Sequence, residues 1–339
     1  MTPAPRGRVL VTGGAGFLGH HLVARLLQGG DQVVVLDDLS TGSLENLPPH
    51  ERLTVVTGSV LDPAALGEAA RGATFVFNLA GLVGMRRVVQ DATLAYRVAA
   101  EGTAAVLAAT GAAPAVLVSS SAVYGLSRRG PARESDPIAP EEVLAYDAGT
   151  PGYACGKLEI ERLGRRAAAA RRVLVVRPFN VVGEGQSGAY GMVLPTFLDA
   201  AASGRPLRVH GDGRQVRSFC EVGPFADALL RLVECEAAWG LAGDPVNLGS
   251  PEPTTILDLA RLVLAQTGSS SPLELVPYER DYPGRTDVAY RVPDVSRLQG
   301  LIGPTRWPPM QAIVARLART VRGADALSPP RPRRPSPPR

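Results

Sequence analysis

The sequence predicts an α/β protein, a Rossmann-type doubly wound parallel sheet with a smaller α/β substrate-binding portion on its C-terminal side. Three observations predict it. Short β-branched runs alternate with helical stretches through the first half of the chain. A glycine-rich turn, Thr12-Gly-Gly-Ala-Gly-Phe-Leu-Gly19, joins the first run to the first helix. An acidic pair, Asp37-Asp38, ends the second run, 18 residues beyond Gly19.

The elements follow in order. Arg8–Thr12, Gln32–Asp37, Leu53–Thr57, Thr74–Leu79, Ala115–Ser119 and Arg172–Arg177 read as buried parallel strands, apolar on both faces. Phe17–Gln28, Pro63–Ala70, Ala92–Thr110 and Tyr153–Ala170 read as the helices between them. After Asn180 the rhythm breaks: Gly and Pro become frequent, and separate helices are expected near Pro195–Ala202, Phe225–Glu236 and Ile256–Thr267. The expected division is residues 1–180 for dinucleotide binding, 181–323 for substrate binding and 324–339 for a tail. No internal repeat is evident.

Composition narrows the function. Of 339 residues 45% are apolar and 20% charged, enough for a sizeable core. No apolar run reaches the ~18 residues that span a bilayer. The first strand begins too soon for a signal peptide, so a cytoplasmic protein is expected. Three cysteines, Cys155, Cys220 and Cys235, are odd in number and lack CxxC spacing, which argues against a disulfide framework and a metal site. The net charge of +4 resides in Ser328–Arg339, which carries four Arg and no acid; without it 32 basic residues face 32 acidic ones. A Pro-rich segment of that kind cannot form a core and is expected to be disordered, so specific nucleic-acid binding is not expected.

The glycine turn has a physical use. Gly13, Gly16 and Gly19 let the backbone turn tightly and approach a pyrophosphate at the positive N-terminus of the helix. Asp37 stands where a carboxylate meets ribose hydroxyls. Asp37–Gly42 contains no Arg or Lys to neutralise a 2′-phosphate, so NAD is preferred over NADP.

The basic residues divide into 35 Arg and one Lys, Lys157. It lies four residues after Tyr153 at the start of a helix, on the same face. A free tyrosine, with a pKa of about 10, is a poor base at neutral pH. A cation one turn away is expected to favour the phenolate, letting the pair take a proton from an alcohol while NAD takes the hydride. Coding bias explains why the other basic residues are Arg; chemistry explains the one that is not. Ser119-Ser-Ser121 ends the fifth strand, at the sheet edge where α/β ligands bind.

These residues carry a resemblance. The chain resembles the extended short-chain dehydrogenase/reductases of the nucleotide-sugar epimerase/dehydratase group over roughly residues 8–308. The motifs are TGGAGFLG, VVVLDDLSTG, the FNLAG strand end, SSSAVYG, YACGK, VRPFNVVG, GDGRQVRSF, VNLGSPEPTTILDLA and YRVPDVSRL. The resemblance implies NAD as cofactor, a nucleoside-diphosphate sugar as substrate, a homodimer, and a Ser120–Tyr153–Lys157 catalytic centre. It implies cofactor contacts from Gly13, Gly16, Phe17, Leu18, Gly19, Asp37, Asp38, Leu39, Ser40, Thr41, Gly42, Ser59, Val60, Leu79, Ala80, Gly81, Tyr153, Lys157 and Phe179. Substrate contacts are implied for Val83, Met85, Ser120, Ser121, Tyr153, Val193 and, around the diphosphate, for Asn180, Arg217 and Arg285.

The group starts by oxidising a sugar carbinol, usually C4, to a ketone. The 4,6-dehydratases carry Asp and Glu just after the catalytic hydroxyl, where this chain has Ser121 and Ala122. UDP-glucuronate decarboxylases typically keep a Glu at the position of Ala122. The 4-epimerases need only Ser, Tyr, Lys and room for the ketone to turn, so 4-epimerisation of a UDP-glucose or UDP-glucuronate type substrate is the expected reaction. Decarboxylation of UDP-glucuronate, or another net oxidoreduction, is the alternative, and a non-catalytic NAD-binding regulator is a third. Asn78, Ser59, Ala99 and Glu221–Pro224 depart from the group's usual His, Asp, Asn and YVDD-like run.

Overall fold

The computed structural model describes residues 7–126 and 130–327. Its centre is a seven-stranded parallel sheet in the order β11-β6-β5-β4-β1-β2-β3. These strands are β1 (Arg8–Thr12), β2 (Gln32–Asp37), β3 (Leu53–Thr57), β4 (Phe75–Asn78), β5 (Ala115–Val118), β6 (Val173–Pro178) and β11 (Pro245–Leu248). The inner strand runs are mostly apolar because both faces are covered, whereas β3, expected to be buried, lies at the sheet edge and exposes Thr54, Val55 and Thr57. Val9, Val11, Val33, Val35, Phe77 and Val116 point into one core, Leu10, Val34, Leu36, Val76 and Leu117 into the other. The first core is closed by α1 (Phe17–Gln28), α8 (Val222–Glu234), α9 (Glu236–Trp239) and α12 (Ser296–Ile302). The second is closed by α2 (Pro63–Ala70), α3 (Met85–Gln90), α4 (Ala92–Ala109) and α6 (Tyr153–Ala167). Successive βα units run outward from β1 in both directions, which leaves a crevice at the carboxyl ends of β1 and β4.

The expected division at residue 180 is crossed. β11 returns from the second half and pairs with β6, Val246 opposite Val176, while α8 and α12 cover that part of the sheet. A four-residue strand opened by Pro245 carries little periodic signal of its own. The remaining second-half elements form a small subdomain. β7 (Val181–Val182) pairs with β10 (Cys220–Glu221), and β8 (Leu207–His210) with β13 (Leu273–Val276). β9 (Val216–Ser218) lies between β12 (Pro253–Thr255) and β14 (Tyr290–Arg291). Its core gathers Leu194, Phe197, Leu207, Leu259, Val263 and Ile313 from α7 (Val193–Ala202), β8, α10 (Ile256–Thr267) and α13 (Met310–Leu327). Residues 324–327, expected in the tail, are helical as the end of α13; 328–339 lie outside the described residues. The remaining helices are α5 (Pro140–Tyr146) and α11 (Tyr278–Asp281).

Asn78, one of the departures from the family pattern, is a buried structural tie. It accepts from the Thr12 hydroxyl at 2.6 Å and donates to Thr103 Oγ1 at 2.8 Å, joining β1, β4 and α4. Among the described residues the three cysteines are free and no helix is long and apolar enough to cross a membrane.

Candidate active site

A cavity of about 510 Å³ opens along the carboxyl edge of the sheet and continues under the small subdomain. The glycine turn forms its floor. Gly13 has φ of 70°, and a β carbon there would sit 3.0 Å from Ala80 N; one on Gly19 would lie 2.1 Å from Gly13 O. Only glycine permits that turn, so the backbone lies open to a pyrophosphate. At the end of β2 the Asp37 carboxylate accepts from Ala15 N and Leu39 N, both at 2.9 Å. Burial raises its pKa and those two bonds oppose the rise.

Gly13, Gly16, Phe17, Leu18, Gly19, Asp37, Asp38, Ser40, Thr41, Ser59, Val60, Leu79, Ala80 and Gly81 all line the cavity. Three expected cofactor contacts lie outside the lining. Phe179 is fully buried and packs on Tyr124, ring centroids 5.9 Å apart. Leu39, with φ of 57°, contributes its N–H to Asp37, and Gly42 lies against the backbone of Ala15. The turn, the carboxylate and the open strand ends fit a dinucleotide.

The three residues expected to be catalytic, Ser120, Tyr153 and Lys157, meet where β5 ends and α6 begins. Ser120 and Tyr153 share a side-chain hydrogen bond, and Ser120 Oγ also accepts from Ala122 N at 3.1 Å. Lys157 Nζ lies 5.7 Å from the Tyr153 ring centroid and donates to Val118 O at 2.8 Å. The expectation that Lys157 lowers the phenol's pKa is not met in the protein alone. Burial pushes Tyr153 up to about 12, with the Ser120 bond and Arg291 working against the rise. Burial also brings Lys157 down to about 8. Both groups have left water, and the ammonium is turned onto a backbone carbonyl.

Beneath the trio lies a buried ionic layer. Glu161, one turn beyond Lys157, takes Arg177 Nε at 2.8 Å and Nη2 at 2.7 Å, and accepts from the Ser119 hydroxyl at 2.7 Å. This layer holds α6 against the ends of β5 and β6, and so helps fix Ser120 relative to Tyr153.

Val83, Ser121, Asn180, Val193, Arg217 and Arg285, expected at the substrate, also line the cavity. Met85 opens α3 between cavity-lining Gly84 and Val88. Asn180 has turned its amide onto Ser218 O at 2.7 Å. Arg217 pairs with Asp287 at 2.9 Å and Arg285 donates to Tyr146 O at 3.2 Å. Among the residues the sequence reading did not single out, one stands at the reacting end. Arg291, 5% exposed, lines the cavity at the catalytic end and donates to Ser121 O at 2.8 Å and Gly125 O at 2.6 Å. It bridges the two ends of the turn that carries Ser120. His210, Tyr278 and Tyr282 form an aromatic wall at the other end, His210 held by Asp281 at 2.8 Å.

The NAD-dependent epimerase/dehydratase family profile matches residues 9–249. The chain is 31% identical over 304 residues to the UDP-N-acetyl-α-D-glucosaminuronate decarboxylase of Bacillus cytotoxicus, covering 86% of this chain and 90% of that protein. The epimerase Mth375 of Methanothermobacter thermautotrophicus superposes with a TM-score of 0.84 at 26% identity, covering 94% of this chain and 93% of the other. MoeE5, solved with UDP-glucuronic acid and NAD, superposes with a TM-score of 0.78 at 26% identity, covering 94% and 100%. NAD is the cofactor that the family and the cavity share.

Proposed function

The chain belongs to the NAD-dependent epimerase/dehydratase family, and from that premise we propose that it oxidises C4 of a UDP-linked uronic acid and then releases C6 as CO₂. The observation that carries this reading is Arg291. It places a guanidinium at the catalytic end of the cavity, beside Ser121 and within electrostatic reach of Tyr153. A neutral sugar has no use for a cation there, whereas a C6 carboxylate does. The similarity to a uronate decarboxylase and to a protein solved with UDP-glucuronic acid supports the same substrate class.

The residues then divide the work. Ser120 holds the C4 oxygen, and the Tyr153 phenolate takes the hydroxyl proton. NAD, when bound, accepts the hydride from C4 and can return it. The ketone so formed is β to the C6 carboxylate. As the C5–C6 bond breaks, its electron pair becomes a C4–C5 enolate, which Ser120 and the now protonated Tyr153 stabilise by donating to its oxygen. C5 then takes a proton from solvent water, and as the hydride returns to C4 the Tyr153 phenol gives its proton back to the C4 oxygen, leaving the hydroxyl. Arg291 orients the carboxylate and Lys157 keeps a cation beside the tyrosine. Loss of CO₂ from a β-keto acid needs no side-chain acid at the position of Ala122.

This reverses the order given by residue-by-residue matching, which puts 4-epimerisation first. Epimerisation keeps support from Ala122, whose methyl leaves space and no acid beside the reacting ring, and from the likeness to Mth375. Incubating the purified protein with UDP-glucuronate, its N-acetyl analogue and UDP-glucose, with products followed by NMR, separates the readings. CO₂ and a UDP-pentose are expected. A UDP-galacturonate product moves epimerisation to first place, and turnover of UDP-glucose alone removes the uronate reading.

A further inference from the structure

Tyr153 opens α6, and Gly152 before it has no side chain with which to cap the helix. The cap comes from Asp147, five residues upstream of Gly152 and only 1% exposed. Asp147 Oδ2 accepts from Gly152 N at 3.0 Å and Cys155 N at 2.9 Å, and Oδ1 from Ala154 N at 3.1 Å. Three N–H donors at the start of a helix satisfy the buried carboxylate oxygens and leave those N–H groups paired. The loop between is shaped to deliver it. Ala148 and Gly149 have φ of 58° and 79°. A non-glycine residue there is strained and persists because its surroundings hold it. Gly152 is small for the same purpose: a β carbon on it would lie 3.3 Å from Asp147 Cγ and 3.2 Å from Ala92 Cβ.

We propose that Asp147 is a positioning residue for the Tyr153 base: its carboxylate caps the first turn of α6 and so fixes where the phenol stands, with a carboxylate held beside it. The proposal rests on Tyr153 being the base. The groups that face the phenol are Ser120 from the turn after β5, Tyr146 from the end of α5, Asp147 itself, Arg291 from β14 and Lys157 one turn along α6. Ser120 and Arg291 favour the phenolate; Tyr146 and Asp147 oppose it. Removing the Asp147 charge therefore moves the tyrosine pKa down. A rate that depends on phenolate then holds up to lower pH. Loss of a cap alone lowers the rate without moving its pH profile.

The test pairs two variants with two readouts. Asp147→Asn and Gly152→Ala are compared with wild type by the pH dependence of UDP-glucuronate turnover. Both are also followed without substrate by ¹³Cζ-tyrosine NMR titration, the Tyr153 signal being assigned with Tyr153→Phe. For Asp147→Asn, kcat is expected to fall at least about tenfold with KM little changed. Its Tyr153 titration and acid limb should both move down by roughly half a unit to one unit. Gly152→Ala displaces the carboxylate but keeps its charge, so kcat falls with no downward shift. If Asp147→Asn does not fold, Asp147→Ser removes the charge while keeping a short capping acceptor. An unshifted Tyr153 titration in the folded charge-removing variant overturns the proposal. If the wild type does not turn over UDP-glucuronate, the substrate reading has failed, and the NMR titration still decides the role of Asp147.

Discussion

The two ends of the cavity hold their charges differently. At the catalytic end, Lys157 is buried and donates to Val118 O, and Arg291 donates to Ser121 O and Gly125 O. At the other, nucleotide end, where a nucleotide diphosphate is expected, Arg217 is salt-bridged to Asp287, His210 meets Asp281, and half-exposed Arg208 lies 3.7 Å from Glu274, while Arg285 is held by a carbonyl, Tyr146 O. A backbone carbonyl orients a cation without cancelling its charge; a carboxylate does both. The catalytic end is thus set for chemistry before substrate arrives. At the nucleotide end an incoming diphosphate has to share or displace carboxylate partners. Changes at the first end should strike kcat, and changes at the second should strike KM.

The largest effect is expected from Tyr153→Phe, which removes the proton acceptor and leaves Ser120 without its partner. Turnover should fall by roughly 10²–10⁴-fold, with KM for the nucleotide sugar within a fewfold of wild type. A matching rise in KM would mean that Tyr153 binds substrate rather than acting on it, and would erase the contrast between the ends.

Lys157 sharpens the contrast through stability. Its pKa falls from 10.5 in water to about 8 in the fold. Between pH 8 and pH 10.5 the unfolded chain keeps a proton that the folded chain has lost, so this group makes stability rise with pH across that window. At pH 7 keeping the charge buried costs on the order of 3 kcal/mol. Lys157→Met should therefore raise the melting midpoint at pH 7, by roughly 5 °C, while abolishing turnover. Lys157→Arg keeps the charge but brings a rigid fork where a slim ammonium fits, and should cost about a hundredfold in kcat. Calorimetry of both variants at pH 7 and pH 10 checks the sign; an Lys157→Met midpoint below wild type at pH 7 would refute it.

The first end was largely legible in the sequence, and the reason is locality. The boundaries of β1, β2, β3, α1 and α2 follow from unbroken apolar runs, a glycine turn and Pro63 at a helix start. Tyr153 and Lys157 share one helical turn, and a solitary Lys among 35 Arg draws attention to itself. Arg291 had neither advantage. It reaches Ser121 from 170 residues away, through the pairing of β14 with β9. Asp147 caps its helix across a strained loop rather than from the position where capping residues are sought. The Tyr153 pKa moves opposite to the fall expected from Lys157, because burial raises it and sequence spacing says nothing of burial.

At the nucleotide end the effects should be smaller and appear in KM. Arg217→Ala is expected to raise KM about tenfold, with kcat within threefold, since the family resemblance places Arg217 at the diphosphate, away from the reacting atoms. A fall in kcat of the same size would mean that the two ends are mechanically coupled, with the β9–β14 pairing that carries Arg291 as the link.

The smallest expected effect tests the pairing itself. Asp287 Oδ1 accepts from Arg217 at 2.9 Å, while Oδ2 accepts from Gln215 at 3.0 Å. Asp287→Asn keeps an acceptor for one of these donors and removes the competing charge, so Arg217 becomes more available to a diphosphate. KM should fall about two- to threefold at low ionic strength, and the difference should shrink as salt screens the half-buried pair. If KM rises instead, Asp287 serves mainly to hold Arg217 in its phosphate-binding pose. The nucleotide end would then be as preorganised as the catalytic end, by a carboxylate in place of a carbonyl.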